Sequence, residues 1–274
     1  MIQYLDEKIA NYEVCVILPS SYDQSKKYRT IYMHDGGETA MQAANYIDHL
    51  ILSGQIEPLI VIGIEPIDRN NDYTPWEAPS LAPHASTFEG QAQIYLHTVV
   101  TEIKPYIDAH YATNPEPSHT SISGCSLGGL VSIFASYYYP EVFHQYISLS
   151  ASFWYEDVLR YLQGEKIERQ GNIHIKPTVS RQNHQLYLYV GELEGIYKET
   201  IQKHMVDYTK KAHLEFIKEG YSESNLLFAS DPEGTHDDLF FSNYFIQSLR
   251  WLFGIEIELP TNYRPYSLIE VGDS

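Results

Sequence analysis

Hydrophobic residues follow two patterns along this chain, short continuous runs and longer stretches in which they recur every three or four positions. Residues 58–64 are apolar at almost every position, which is typical of a strand buried on both faces of a parallel sheet. Residues 91–111 instead place Leu96, Val99 and Ile103 on one face of a helix. Because such strands and helices alternate from residue 12 to residue 253, the pattern predicts an α/β fold with a mostly parallel central sheet and helices on both faces.

The same patterns predict the remaining elements. Further strands are expected at residues 12–18, 30–33, 120–123, 146–150, 186–190 and 225–229. Further helices are expected at residues 40–53, 127–139 and 239–253, with an amphipathic helix that contains Ile201, Met205 and Phe216. We expect Pro105 to kink the helix at residues 91–111.

Three stretches do not fit the alternation. Residues 65–89 form a long irregular segment, which in an α/β domain is usually functional or mobile. Residues 163–184 are polar and fall where a lid is often inserted, so they are predicted to form a small lid. Residues 255–274 form a C-terminal extension whose alternating start predicts an edge strand or a homodimer contact. Since there are no internal repeats and no linker, we expect one domain over residues 1–274.

A glycine-rich turn follows the strand at residues 120–123. Residues 124–128 read Gly-Cys-Ser-Leu-Gly and match the G-x-S-x-G nucleophile elbow, a sharp strand-to-helix turn that exposes a serine hydroxyl. Glycine is needed because a Cβ atom would clash in so tight a turn. The strand before the turn and the helix after it supply the context that the motif requires, so Ser126 is the predicted nucleophile. The alternative is a small-residue turn where a helix packs closely on the sheet.

A serine nucleophile needs a base, and the base needs a carboxylate that orients it. In sheets with this elbow the chain order is serine, then an acid, then a histidine. His236 follows the last predicted strand and is the predicted base, the alternative being a solvated loop histidine. Glu194 and Glu192 both follow the strand at residues 186–190. The usual spacing favours Glu194 as the acid and leaves Glu192 as the alternative.

An oxyanion hole requires two backbone N–H groups beside the nucleophile. One is expected from Leu127, which directly follows Ser126. The other is expected from Gly36 or Gly37, which follow an early strand. The alternative is that these two glycines only form an ordinary turn.

Three further side chains are candidates for contact with a substrate. Trp76 and Trp154 could line a pocket for a bulky or aromatic acyl group, or could belong to the core. Arg69 could bind a carboxylate or phosphate, or could form a structural ion pair.

The composition narrows the class of partner. With 18 basic and 36 acidic side chains the net charge is −18, which repels nucleic acid and anionic membranes and disfavours strongly anionic substrates. The sequence contains no run of eighteen apolar residues, which a transmembrane helix would need, and its start lacks the basic and then apolar regions of a secretory signal peptide. The two cysteines do not make a disulfide framework. A cytoplasmic location is therefore expected. Without metal-binding or nucleotide-binding motifs, neither kind of cofactor is predicted.

Several motifs together resemble one known family. They are Ser-Ala-Ser-Phe-Trp at residues 150–154, Tyr-Thr-Pro-Trp at 73–76, Lys-Pro-Tyr-Ile-Asp at 104–108, and the elbow extended by Gly129 and Leu130. The set resembles the esterase D-like "putative esterase" family, which includes enterochelin esterase-like and siderophore trilactone hydrolases. The resemblance spans about residues 12–254. It implies an α/β-hydrolase fold and ester hydrolysis without a metal.

The resemblance also implies site residues. It makes Ser126 and His236 catalytic and puts an acid at the strand end near Glu194. Some siderophore-type members have a weak or missing acid, so the choice between Glu192 and Glu194 stays open.

The predicted function is therefore a serine carboxylesterase that hydrolyses small or aromatic carboxylic esters through an acyl-enzyme on Ser126. An acyltransferase would use the same residues with an alcohol in place of water. A siderophore trilactone hydrolase is the first alternative. A catalytically inactive hydrolase fold that serves as a binding protein is the second.

Overall fold

An eight-stranded sheet forms the centre of the molecule. The structure is a computed structural model and describes residues 1–81 and 87–255. The strands of this sheet are β1 (Gln3–Ile9), β2 (Tyr12–Leu18), β3 (Arg29–Met33), β4 (Leu59–Ile64), β5 (Thr120–Cys125), β6 (Gln145–Leu149), β9 (Gln185–Gly191) and β10 (Leu226–Asp231). Their spatial order is β1-β2-β4-β3-β5-β6-β9-β10. Only the β1–β2 and β2–β4 pairs of this sheet are antiparallel, which confirms the mostly parallel sheet that the sequence predicts.

Helices cover both faces of the sheet. They are α1 (Glu38–Leu52), α2 (Arg69–Asp72), α3 (Ala92–Thr98), α4 (Lys104–His110), α5 (Leu127–Tyr138), α6 (Val158–Leu162), α7 (Met205–Lys218) and α8 (Asp238–Phe253). One hydrophobic cluster contains the inward sides of α1 and α8, and a second contains those of α3, α5 and α7. Two buried layers of apolar side chains therefore hold the sheet rigidly between helices. Among the described helices, none combines the length and apolar composition that a membrane crossing requires.

Some elements differ from the sequence prediction. Strand β1 was not predicted, because it lies at the sheet edge and most of its side chains are exposed, so it has no apolar run to recognise. The predicted helix at residues 91–111 is interrupted by a π-helical turn at Val99–Ile103. This turn comes just before Pro105, whose ring and missing N–H disturb the regular helical bonding of the preceding turn.

The polar segment at residues 163–184 contains a small hairpin, β7 (Ile167–Arg169) paired with β8 (Asn172–His174). Its second half is tied to the body of the protein. Lys176 and Arg181 both bind the carboxylate of Glu219, at 2.6 and 2.8 Å. The lid role predicted for this segment stays a prediction. The described residues end at Ile255, so the edge strand or dimer contact predicted for the C-terminal extension lies outside them.

The sheet topology sets where a site can form. Strands β5, β6, β9 and β10 are neighbours and run parallel. Their carboxyl ends therefore meet at one edge of the sheet, where ligands of open α/β sheets bind.

Candidate active site

Ser126 lies at the turn between β5 and α5. Its backbone angles are φ 58° and ψ −119°, a conformation that non-glycine residues rarely adopt. The turn is tight because a Cβ atom on Gly124 would come within 2.5 Å of the Gly128 carbonyl carbon. This strained turn points the partly exposed Ser126 hydroxyl out of the sheet edge, as the nucleophile elbow requires.

His236 and Glu194 meet at the same edge. His236 lies in the loop after β10, and Glu194 lies in the loop after β9. The Nδ1 atom of His236 is 2.7 Å from Oε2 of Glu194, and the Glu194 side chain is fully buried. A buried carboxylate on Nδ1 fixes the imidazole with its Nε2 atom free to act as a base.

The second oxygen of Glu194 is also bonded. Its Oε1 atom accepts the hydroxyl of Ser150 and, at 2.9 Å, the backbone N–H of Gly191. Glu192, by contrast, is only partly buried and pairs with Lys210 at 2.9 Å. The geometry therefore favours Glu194 over Glu192 as the partner of the histidine.

Two glycines bring the acid loop and the histidine loop together. A Cβ atom on Gly191 would lie 2.4 Å from the carbonyl carbon of Gly234, so only glycine allows this approach. The contact is reinforced by a hydrogen bond of 2.9 Å from the Leu193 N–H to the Gly234 carbonyl. The contact therefore fixes the position of the Glu194 loop relative to the His236 loop.

The serine and the histidine are not joined in this conformation. The Ser126 hydroxyl lies 3.4 Å from the hydroxyl of Ser152, which follows β6. Within the described part of the chain, Nε2 of His236 has no hydrogen bond. Catalytic hydrogen bonds are often long in unliganded hydrolases and tighten when substrate binds.

The glycine turn after β3 has one unused N–H group. The N–H of Asp35 donates to the hydroxyl of buried Tyr73 at 2.8 Å, and the N–H of Gly37 donates to the His34 carbonyl at 3.2 Å. Among the described residues, the N–H of Gly36 has no acceptor. The N–H of Leu127 also lacks one, because it opens α5. Of the two predicted glycine donors, Gly36 is therefore the one whose N–H group is free among the described residues, and its role as the second oxyanion donor stays a prediction.

His34, which directly precedes this turn, is held by two buried tyrosines. Its Nδ1 atom lies 2.8 Å from the hydroxyl of Tyr95, and its ring packs on the ring of Tyr73. Burial, helped by the nearby Arg69 guanidinium, lowers the pKa of His34 to about 3. His34 is therefore neutral at physiological pH and adds no charge beneath the turn.

Arg69 pairs with Asp35 through two hydrogen bonds, of 2.7 and 3.1 Å. Its guanidinium also lies over the ring of Tyr73. Both contacts favour the structural ion pair over a substrate-binding role.

The two candidate tryptophans have different surroundings. Trp76 is 1 % exposed, packs against Phe134 and Tyr161, and donates its indole N–H to the Glu156 carbonyl at 2.9 Å. These contacts favour the core role for Trp76. Trp154 instead forms part of the wall of a cavity.

Two further observations concern the cysteine next to Ser126 and the side chains that could bind a metal ion. Burial raises the pKa of Cys125, the neighbour of Ser126, to about 12, so it remains a thiol at neutral pH. Within residues 1–81 and 87–255, no group of three or more histidine, cysteine or acidic side chains is arranged to hold a metal ion.

Sequence reasoning did not find the supporting residues. Ser150 and Tyr73 lie in motifs that indicated the family, but neither motif shows which atom a hydroxyl contacts. Gly191 ends β9 and Gly234 comes three residues after β10, and these positions at neighbouring strand ends are the only sequence signal that the two glycines pack together.

Comparison with known proteins identifies the family of this chain. The family model described as "Putative esterase" matches residues 9–252. The chain belongs to this family. Among curated proteins, it is 31 % identical over 253 residues to "Uncharacterized protein YbbA" of Bacillus subtilis (strain 168), covering 91 % of this chain and 95 % of that one.

Solved structures of other proteins share the fold. An IroE-like serine hydrolase from Shewanella oneidensis superposes with a TM-score of 0.74 at 21 % identity, covering 92 % of this chain and 80 % of that one. The enterobactin esterase FES from Shigella flexneri superposes with a TM-score of 0.69 at 17 % identity, covering 92 % of this chain and 58 % of that one. These similarities establish the α/β-hydrolase fold that the sequence predicts. Family membership supports a hydrolase that acts on small-molecule esters.

Proposed function

We propose that this family member is a serine carboxylesterase that hydrolyses small or aromatic carboxylic esters. The observation that carries the proposal is the buried Glu194 carboxylate bonded to Nδ1 of His236, at the sheet edge that also presents Ser126. A solvated loop histidine would not need a buried acid partner. Burying a carboxylate is costly unless it is fully hydrogen-bonded, and here both oxygens are bonded.

The first chemical step forms an acyl-enzyme. Nε2 of His236 takes the Ser126 proton while Oγ attacks the ester carbonyl carbon. The negative charge that develops on the carbonyl oxygen is stabilised by the N–H groups of Leu127 and Gly36. The intermediate then collapses, and His236 returns the proton to the departing alcohol oxygen.

The second step releases the acid. A water molecule gives a proton to Nε2 of His236 and attacks the acyl carbon through the same oxyanion site. Ser126 Oγ departs and recovers its proton from His236. Throughout, Glu194 keeps the Nδ1 proton in place and stabilises the imidazolium.

A trilactone siderophore hydrolase is the second candidate. It is favoured by the structural similarity to the enterobactin esterase FES. The net charge of −18 disfavours a strongly anionic iron complex as substrate. Turnover of a tricatecholate trilactone much faster than simple esters would reverse the ranking.

Labelling with a fluorophosphonate probe, followed by peptide mapping, tests the nucleophile directly. We expect label on Ser126, no label on that peptide in Ser126→Ala, and strongly slowed labelling in His236→Ala. Ser136→Ala is the control, since Ser136 is a buried serine of α5, the helix that directly follows Ser126. A well-folded wild type that takes no label and hydrolyses no activated ester would support the binding-protein alternative instead.

A further inference from the structure

A short segment after β6 joins the nucleophile turn to the acid loop. The Ser126 N–H donates to the Leu149 carbonyl at 2.9 Å, and the Ser126 carbonyl accepts the N–H of Ser152 at 3.0 Å. Between these two contacts lies Ser150, whose hydroxyl donates to Oε1 of Glu194. The segment therefore contacts the backbone of the candidate nucleophile and the candidate acid at the same time.

The backbone of Ser150 is in a conformation that serine rarely adopts. Its φ is 48°, in the left-handed region that favours glycine because a Cβ atom is crowded there. Its N–H donates to the Tyr189 carbonyl of β9 at 2.8 Å, which a glycine would do equally well. The hydrogen bond to Glu194 is what a glycine could not supply. Strain of this kind persists where the surrounding contacts require it, so we connect it with this bond.

The two oxygens of Glu194 have different partners. Oε1 accepts the Ser150 hydroxyl and the Gly191 N–H, whereas Oε2 lies 2.7 Å from Nδ1 of His236. Two donors on Oε1 fix the plane of the carboxylate and leave Oε2 to face the imidazole. The Glu194 side chain is fully buried, and such a charge is costly unless it is hydrogen-bonded. The Ser150 hydroxyl therefore both orients the carboxylate and stabilises its charge.

Helix α5 packs directly on the same segment. A Cβ atom on Gly129 would lie 3.1 Å from the Leu149 carbonyl oxygen and 3.2 Å from the Cα atom of Ala151. Such distances are tighter than nine in ten real Cβ contacts, so the segment has little room to move towards the helix. Packing as well as hydrogen bonding therefore fixes where the Ser150 hydroxyl lies relative to Ser126.

We propose that Ser150 is a positioning residue, which acts through Glu194 to hold Nε2 of His236 in the direction of the Ser126 hydroxyl. The assignment rests on the proposed function. Ser150 is fully buried and contacts neither substrate nor the reacting atoms, so it is not itself a catalytic residue. On this proposal, one rigid segment sets the position of the acid relative to the nucleophile.

Two substitutions separate the hydroxyl of Ser150 from its backbone. Ser150→Ala removes the hydroxyl and keeps the strain, whereas Ser150→Gly removes both. We expect each to lower kcat about 10- to 100-fold with KM within about twofold, because a misplaced base impairs the reaction more than binding. Ser150→Gly should melt no lower than Ser150→Ala, since its backbone is unstrained. If Ser150→Gly kept the wild-type kcat, the residue would serve only the backbone turn and the proposal would be wrong.

Ser248→Ala is the matched control. Ser248 is also fully buried, and its hydroxyl donates to the Phe245 carbonyl within α8 at 2.6 Å. We expect this variant to keep kcat within about twofold of wild type. Equal losses of kcat in Ser248→Ala and Ser150→Ala would show that a buried serine matters only through stability, against a positioning role.

Combining Ser150→Ala with Glu194→Gln tests whether the two residues act together. If Ser150 acts through the Glu194 carboxylate, the double variant should have a kcat within about threefold of Glu194→Gln alone, because no carboxylate is left to position. Independent roles would instead multiply the two losses, and that result would overturn the proposal.

A measurement without turnover separates this proposal from the proposed function. Proton NMR of Ser126→Ala reports the Nδ1–H group of His236, whose resonance is identified by its loss when His236→Asn is added. A proton shared with a carboxylate is sensitive to the geometry of that hydrogen bond. We expect adding Ser150→Ala to shift or broaden this resonance, and adding Ser248→Ala to leave it unchanged.

The two proposals can fail separately. If Ser126 is required for ester hydrolysis but Ser150→Ala changes neither kcat nor the Nδ1–H resonance, the positioning role is wrong and the esterase stands. A loss of kcat without a change in the resonance would mean that Ser150 does not act through Glu194, which also overturns the proposal. If wild type hydrolyses no ester although the resonance depends on Ser150, the esterase fails, and Ser150 only orders a pair of buried side chains.

Discussion

At the scale of single residues, the two glutamates after β9 differ in what surrounds them. Glu194 is buried with both oxygens bonded, whereas Glu192 is only partly buried and pairs with Lys210. We predict that Glu194→Gln lowers kcat about 10³- to 10⁴-fold, because an amide favours the wrong histidine tautomer. Glu192→Gln should leave kcat within about twofold, as expected for an exposed ion pair. Steady-state assays on an activated ester compare the two.

The reverse result would assign the acid to Glu192. Equal and small effects of both substitutions would mean that His236 works without a carboxylate partner, as the resemblance to siderophore-type members left open.

The Tyr73 hydroxyl accepts the Asp35 N–H and so shapes the glycine turn. We predict that Tyr73→Phe lowers kcat about 10-fold with little change in KM, because a turn with an unsatisfied N–H presents the Gly36 donor less well. Tyr32→Phe is the matched control, since Tyr32 is also buried but its hydroxyl has no partner within the described chain. A loss in KM alone, or equal losses in both variants, would contradict this positioning role.

Some of the candidate site residues could be predicted from the sequence. The elbow motif predicts Ser126 as the nucleophile, and the order of strands along the chain predicts His236 as the base and one of the two glutamates as the acid. The sequence could not separate Glu192 from Glu194 firmly, because two residues in one loop differ only in the direction of their side chains. The sequence leaves open whether Trp154 lines a pocket or belongs to the core, and its unpaired indole N–H is visible only in three dimensions.

At the scale of elements, the loops after β9 and β10 depend on the contact between Gly191 and Gly234. An added methyl group on Gly191 would meet backbone atoms at 2.4 Å, so one loop must move. We predict that Gly191→Ala lowers kcat at least about 10²-fold, since a shift near 1 Å in a catalytic group costs that much.

Gly164→Ala serves as the comparison. A Cβ atom there meets open space, although the backbone φ of 88° still makes alanine strained. We expect a small loss of thermal stability and an unchanged kcat. If Gly191→Ala kept full kcat, the close contact between the loops would have no part in aligning His236 with Glu194.

Elements with strong patterns were predicted well, and those without were missed. The buried parallel strands and the long helices α1, α5 and α8 have continuous or periodic apolar residues. Strand β1 and the β7–β8 hairpin are largely exposed, so burial imposes no pattern on them. The π-helical turn within residues 91–111 depends on one extra residue per turn, which periodicity over a short stretch does not show.

At the scale of the whole molecule, buried histidines link stability to pH. Burial lowers the pKa of His34 from 6.5 to about 3, and Tyr73, Tyr95 and Arg69 surround its ring. Between these two pKa values the His34 imidazole is protonated in the unfolded chain but neutral in the folded chain. The contribution of neutral His34 to the free energy of unfolding is therefore complete above about pH 6.5. It is lost progressively as the pH falls from there towards 3.

We therefore predict that the free energy of unfolding falls with acidification more steeply in wild type than in His34→Asn. The difference in slope should approach about 1.4 kcal/mol per pH unit, the value for one proton. Urea titrations between pH 4 and 7 would measure both slopes. Burial also lowers the pKa of His184, to about 4, so His184→Asn should flatten the curve as well. Parallel curves for wild type and both variants would show that neither histidine carries this proton linkage.

The order of the strands has a consequence for how the protein is made. Ser126 follows β5 near the middle of the sheet, whereas Glu194 and His236 follow β9 and β10, the last two strands that the structure describes. A ribosome adds about 5–20 residues per second and releases the N-terminal part first. A growing chain folded only as far as β6 would hold the serine without its base or acid, and its hydroxyl would react like that of any alcohol. On the proposed mechanism, a prematurely terminated chain is harmless to cellular esters, and reactivity appears only once synthesis has passed β10 and the loop that carries His236.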